Sequence, residues 1–281
     1  MSDPNYLQQV STQVRRDIIR MVNGAASGHP GGSLGATDYL VALFFEIMDH
    51  DPKNFDMDGK GQDIFVLSNG HLSAALYSVL SRSGYFPPEE LGTFRKLGTR
   101  LQGHPCTEKG LPGIRIATGS LGQGLSVAIG VALAKKLDKD PKRVFCLMGD
   151  GELQEGQIWE AAMYAAANKV DNLIAAVDYN GKQIDGSLDD VMPLGDLKAK
   201  WDVFGWKVLE AKGNDMEDLI KTLHDAISYT DKGIPVVILL HTEMGFGVDF
   251  MMGTHKWHGV APNDEETARA LDQLEETLGD Y

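Results

Sequence analysis

The sequence predicts an α/β fold, an open and mainly parallel sheet with helices on both faces. Three observations carry that prediction. Short apolar runs recur without polar alternation, at Ile64–Ser68, Val144–Met148, Leu173–Val177 and Val236–Leu240, with a weaker run near Val208. Strands covered on both faces read this way. Segments with apolar residues at helical spacing separate the runs, and that interleaving is the mark of parallel strands joined by crossover helices. The composition, 43% hydrophobic and 23% charged over 281 residues, is that of a globular chain able to bury a large core without covalent staples.

In chain order, helices are expected over residues 6–22 and 38–48, followed by the first strand and a helix over 73–82. A helix over 125–137 leads into the second strand, and one over 159–168 into the third. The weak run near Val208, a helix over 216–229 and the Val236–Leu240 strand complete the sheet. Residues 51–62 read as a polar loop, and Pro262 to Tyr281 as a terminal acidic helix. The uncharged stretch Ile116–Ala134 approaches the length of a membrane span. Its four glycines and its Thr118, Ser120, Gln123 and Ser126 make it a loop followed by a buried, small-residue helix instead. No linker, repeat or low-complexity tract interrupts the pattern, so residues 1–281 are expected to form one domain.

Charge narrows the function classes. With 26 basic and 40 acidic residues the chain carries a net charge of −14, which opposes nucleic acids and anionic membranes as partners. The two cysteines, Cys106 and Cys146, allow no thiolate zinc site. The start, MSDPNYLQQV, lacks the basic and apolar regions of a secretory signal. A soluble, cytoplasmic protein is expected.

In folds of this class ligands gather at the carboxyl ends of the strands. There the sequence places Gly149-Asp150-Gly151 and, thirty residues on, Asn180. The glycines would let a ligand approach the backbone, while Asp150 and Asn180 offer hard oxygens suited to magnesium beside a phosphate. The triplet alone could equally be a tight turn with Asp150 capping a helix; Asn180 after a second strand favours a metal–diphosphate site. Five of the eight histidines, His29, His71, His104, His255 and His258, adjoin or lie within two residues of a glycine. Imidazoles on such loops can reach a polar ligand and exchange protons near neutrality, or simply occupy turns. The Gly119–Gly124 loop before a helix could direct amides at a phosphate or serve close packing.

Seven motifs in order then bring a family into view: SGHPGGSLG at 27–35, LSNGHLS at 67–73, GHP at 103–105, TGSLGQG at 118–124, GDGELQEG at 149–156, DYNGKQIDG at 178–186 and GTHKWHG at 253–259. Together they resemble the amino-terminal, diphosphate-binding half of the transketolases, over nearly the whole chain. The resemblance implies that thiamine diphosphate binds with Mg2+ or Ca2+, the metal held by Asp150, Asn180 and the backbone oxygen of Lys182. The family usually has an aliphatic residue at position 182, which a carbonyl ligand tolerates. Gly151 would pack on the diphosphate, Ile184 on the cofactor rings, and Gly119, Ser120 and Leu121 would contact the cofactor from a second loop; Ser120 often stands as Pro in the family. His29, His71, His104 and His255 would bind diphosphate or sugar hydroxyls and move protons, with His71 and His255 also touching the cofactor and His258 a weaker match. Glu155, beside the cofactor and also expected to act in catalysis, and Glu160 match acidic residues near a subunit interface. Glu152 receives no role. His50, His224 and His241 lie outside the motifs and read as structural.

The implied activity is transfer of a two-carbon ketol unit from a ketose or its phosphate to an aldose, through a thiamine-diphosphate carbanion. Only 22 residues follow GTHKWHG, too few for the pyrimidine-binding domain that such enzymes need. A separate carboxy-terminal subunit is therefore expected to supply it, in a two-plus-two assembly. A deoxyxylulose-phosphate synthase-like half, a specialised sugar or sulfo-sugar ketol transferase, and a non-catalytic binding module are the alternatives.

Overall fold

The computed structural model describes residues 3–281. Helices α1 (Pro4–Ala25), α2 (Pro30–Gly35) and α3 (Thr37–Ala42) precede strand β1 (Ile64–Leu67), and α4 (Ser73–Arg82) and α5 (Gly124–Leu137) lead to β2 (Val144–Gly149). Helix α6 (Gly156–Ala167) connects to β3 (Leu173–Asp178), after which a small hairpin, β4 (Lys182–Gln183) and β5 (Gly186–Ser187), turns the chain. Then come α7 (Leu188–Val191), α8 (Leu197–Val203), β6 (Lys207–Lys212), α9 (Met216–Ser228), β7 (Val236–His241) and α10 (Asp264–Leu271).

The large sheet has the order β1-β2-β3-β7-β6, every pair parallel. Side chains of successive strand residues point to opposite faces, and both faces are covered. Phe145 and Leu147 join a core with α1, α3, α4 and α9, while Val144, Cys146 and Met148 join another with α5, α6 and α8. All five runs are strands of this sheet; the four strong ones lack polar alternation because both faces are covered, while the weaker run is the edge strand β6, which carries exposed Glu210 and Lys212.

Local chemistry sets the helix ends. Asp3 accepts the Asn5 N–H at 3.0 Å and Pro4 occupies the first turn of α1, where a missing N–H costs nothing. Asp215 caps α9 by accepting the Asp218 N–H at 3.2 Å.

Three expectations need correction. The helix expected over 38–48 is α3 followed by a wider π turn at Leu43–Ile47. The helix starting at Gly124 is buried along one stripe only; Val127 and Leu137 on its other side are exposed. The terminal helix stops at Leu271, because the tail beyond it is drawn onto α1. Asp280 accepts hydrogen bonds from Arg16 at 2.6 and 2.9 Å and from Gln13 at 2.9 Å, and the Tyr281 carbonyl accepts one from Arg20 at 2.5 Å. These α1 groups take partners that a continuing helix would have carried away.

Helix α4, which follows the Gly70–Leu72 turn, is fastened to α1 by a buried ion pair. Asp17 accepts two hydrogen bonds from Arg82, each at 2.8 Å, and one from the Ser78 hydroxyl at 2.7 Å. Removing one member strands a buried charge. Asp17→Ala should therefore lower stability by about 3–5 kcal/mol in urea unfolding; a loss below about 1 kcal/mol would show that this pair does not hold α4 in place.

Candidate active site

A cavity of about 410 Å³ opens at the carboxyl ends of β1, β2 and β3. Its floor is built by register. Gly149 of β2 lies opposite Asp178 of β3, so the turns that follow the two strands run side by side. The Asp150 N–H donates to the Asp178 carbonyl at 3.2 Å, and the Asp150 carboxylate accepts from Gly151 at 2.7 Å and Gly181 at 2.6 Å. Asp178 in turn accepts from the Asn180 amide at 3.0 Å and from the Thr242 hydroxyl. The Asn180 side-chain carbonyl accepts the Lys182 N–H at 2.9 Å, which leaves it a second lone pair.

Asp150 and Asp178 are each 2% exposed. Burial pushes both carboxyls well above the ordinary carboxylate range, and the charge of Asp178 raises Asp150 further. The nearest ammonium on these turns, that of Lys182, is paired with Glu243 at 3.2 Å. Two buried carboxylates with a carbonyl oxygen beside them fit a hard divalent cation, which would restore their ionised form.

The wall opposite is made of imidazoles. His29 precedes α2, His71 lies in the Gly70–Leu72 turn, His104 in a loop and His258 in the Lys256–His258 turn. Ring centroids are 5.1 Å apart for His29 and His71, 5.2 Å for His71 and His258, 5.8 Å for His29 and His258, and 6.5 Å for His29 and His104. The His104 loop is held by Ser73, whose hydroxyl donates to the Gly103 carbonyl at 2.7 Å, and by Arg95, which reaches the same carbonyl at 3.3 Å and Ser27 at 2.8 Å. Burial, reinforced by the neighbouring imidazoles, lowers His29 to about 4 and His71 to about 3. Both are neutral near pH 7 and able to accept a proton. Four buried polar atoms of the cavity wall, His29 Nδ1, His258 Nδ1, Asn69 Oδ1 and Gln183 Oε1, have no partner among the described residues. Buried polar atoms without partners are costly, so the wall suits a ligand rich in hydroxyl groups, which can donate to the two amide oxygens.

Eleven of the expected site residues line the cavity: His29, His71, His104, Gly119, Leu121, Asp150, Gly151, Glu155, Asn180, Lys182 and Ile184. Two do not. His255 is exposed, and His258 takes the place expected for it. The cause is Trp257, which is buried and donates from its indole N–H to the Phe250 carbonyl at 3.0 Å, fixing the rotation of the turn so that His258 faces the other imidazoles. Ser120 faces a separate depression of about 210 Å³ with Gln123 and Val127. Gly119, at φ of +130°, runs close against His104, where a Cβ would come within 2.7 Å of the ring. Asn69, Glu152, Asp178, Gln183 and Met244 also line the cavity, unanticipated. Asn69 and Asp178 stand at strand ends within the seven motifs, a signal that could have found them. His50 is structural as expected, bonded to Tyr85 at 2.9 Å and to the Phe44 carbonyl at 2.8 Å.

With this geometry established, comparison with known proteins is decisive. The profile for the transketolase, thiamine diphosphate binding domain, matches residues 7–277. The chain belongs to the transketolase family. It is 41% identical over 272 residues to one subunit of the apulose-4-phosphate transketolase of Phocaeicola vulgatus, covering 97% of this chain and 95% of that one. It is 40% identical over 269 residues to one subunit of the 6-deoxy-6-sulfo-D-fructose transketolase of a Clostridium species, covering 96% of each. The transketolase of Campylobacter jejuni superposes with a TM-score of 0.89 at 35% identity, covering 98% of this chain and 43% of the other. This chain thus spans about two-fifths of that solved transketolase and nearly the whole of the two subunit relatives. No helix among the described residues is long and apolar enough to cross a membrane.

Two outcomes are expected of this transketolase-family site. The folded midpoints of His29 and His71 lie below the ordinary 6.5, so as pH falls from about 6.5 the unfolded chain takes up protons first and these groups lose stability for the fold down to their folded midpoints. Histidine NMR should show both rings neutral at pH 5; a charged ring there would refute the assignment. Mg2+ with thiamine diphosphate at a hundredfold excess over Kd should stabilise the chain by about 2.7 kcal/mol. Asp150→Ala with Asn180→Ala should abolish that gain in thermal unfolding, and an undiminished gain would place the cation elsewhere.

Proposed function

We propose that this chain is the diphosphate-binding subunit of a two-chain transketolase and forms one domain, with the pyrimidine-binding domain on a separate carboxy-terminal subunit. One observation carries the reading: a single cavity joins the buried Asp150–Asn180 turns to the histidine cluster. The subunit relatives, matched over nearly their whole lengths, support the two-chain arrangement.

Asp150, the Asn180 carbonyl and the backbone oxygen of Lys182 would hold Mg2+ or Ca2+, whose charge would favour an adjacent diphosphate. Gly151 and Gly119 admit the diphosphate where a side chain would crowd it, and Leu121 and the exposed Ile184 give apolar contact at the cavity mouth. Thiamine diphosphate, when bound, supplies the nucleophilic carbon and electron sink for cleaving a carbon–carbon bond beside a carbonyl. The neutral imidazoles of His29, His71 and His258, with His104 at the rim, take and return protons on the sugar hydroxyls. His255 lies outside this set. The two relatives are named for a phosphorylated and a sulfonated ketose, which supports a ketose bearing an anionic group as donor and an aldose as acceptor.

Self-association completes the reading. Val127 and Leu137 of α5 and Met163 and Tyr164 of α6 are exposed apolar residues. Between these helices Tyr164 lines a groove of about 420 Å³ with Gly130 and Glu160, on the helix that begins just after the cavity-lining Glu155. Pairing of two copies here would bury that face and bring Glu155 to the interface, in a two-plus-two assembly working in the cytoplasm.

With its partner subunit present, the chain should transfer a ketol unit from a phosphorylated or sulfonated ketose to an aldose in a product assay. Asp150→Ala should cut that rate beyond the roughly 100-fold that loss of a supporting residue costs at metal sites; full activity in the variant would overturn the reading. A Cβ on Gly130 meets nothing within 4 Å, so Gly130→Arg should fold normally yet sediment as a smaller species. An unchanged assembly would exclude this face.

A further inference from the structure

Glu152 lies two residues past Asp150 in the turn after β2 and apart from the histidine cluster, and its carboxylate is almost fully enclosed, with the residue 2% exposed. One oxygen accepts the Gly122 N–H at 2.9 Å and the Ser68 hydroxyl; the other accepts the Gly149 N–H at 3.1 Å. The three donors sit on three separate segments. Ser68 ends the β1 run just before Asn69 and His71, Gly122 follows Gly119 and Leu121, and Gly149 precedes Asp150. Each segment forms one wall of the cavity.

The same walls touch where only glycine fits. A Cβ on Gly70 would come within 2.8 Å of the Gly119 nitrogen, and one on Gly124 within 2.4 Å of the Ser68 Cβ. The glycines bring the walls against the Ser68 side chain and the 118–119 backbone, and the hydrogen bonds to Glu152 tie the three segments at that contact. A carboxylate is suited to that task because it only accepts, with lone pairs enough for three donors. An amide in its place would set an N–H against an N–H, and an apolar residue would strand all three donors.

We propose that Glu152 is a positioning residue that pins the 67–72, 118–124 and 149–151 segments to one another and so holds the cofactor cavity in shape. The pin stands on the geometry of the chain itself; its effect on the cofactor rests on the function proposed above. Hydrogen exchange on the full chain, read by mass spectrometry, and calorimetric titration of the chain assembled with its partner subunit, using thiamine diphosphate and Mg2+, separate the two.

In Glu152→Gln, amides of 67–72 and 118–124 should exchange about tenfold faster while β2 and β7 keep their protection, and the cofactor should bind about tenfold more weakly, the scale of one lost charge-assisted hydrogen bond. Ser68→Ala, which removes one donor and leaves the carboxylate, should shift both readouts the same way by less. Unchanged exchange in the two segments would overturn the proposal. So would a uniform loss of protection across the sheet, the mark of a merely structural residue, and so would unaltered affinity where the wild-type chain binds the cofactor. If the wild-type chain, assembled with its partner subunit, binds no thiamine diphosphate, the cofactor reading fails, and the exchange pattern alone decides whether Glu152 pins the walls.

Discussion

Two carboxylates buried side by side at the ends of adjacent parallel strands impose the condition that the rest of the site answers. Asp150 and Asp178 are brought together by the β2–β3 register and lie almost out of contact with solvent. Burial of like charges is unfavourable unless something compensates. Part of the compensation is local, in the N–H groups of Gly151 and Gly181, the Asn180 amide and the Thr242 hydroxyl. The remainder is what a bound cation would supply, and the glycines around the turns leave room for one.

The histidine wall poses the complementary condition. Imidazoles spaced 5.1 to 6.5 Å apart cannot all be charged in a partly dry cavity, so burial and mutual repulsion keep His29 and His71 neutral. A negative floor for a cation and a wall of neutral bases make a site that can anchor a diphosphate at one side and handle hydroxyl protons at the other. Net charge, at −14, says nothing of this division, because the cavity's character is set by a few enclosed groups.

Much of the site was legible in the sequence, and the misses have physical causes. Asp150, Asn180 and the glycine-flanked His29, His71 and His104 could be found because strand ends and glycine loops are local features. His255 and His258 could not be told apart by spacing, since both lie in one glycine-bounded turn and only the burial of Trp257 decides which faces inward. Ser120 sits in the same loop as Gly119 and Leu121 but lines a separate depression with Gln123 and Val127, a split that residue type and spacing do not reveal. Glu152 looked like an ordinary acidic residue, because its partners Ser68 and Gly122 are 84 and 30 residues away along the chain.

By itself the sequence determined the α/β class, the five strand runs and the order of the motifs, because apolar patterning and turn chemistry act over a few residues. Tertiary structure alone decided the strand order β1-β2-β3-β7-β6, the end of the last helix at Leu271 and the identity of the inward histidine. It also decided that three loops share one buried carboxylate. Those outcomes depend on contacts between segments far apart in the chain, where the preference of each segment is too weak to choose and packing makes the choice.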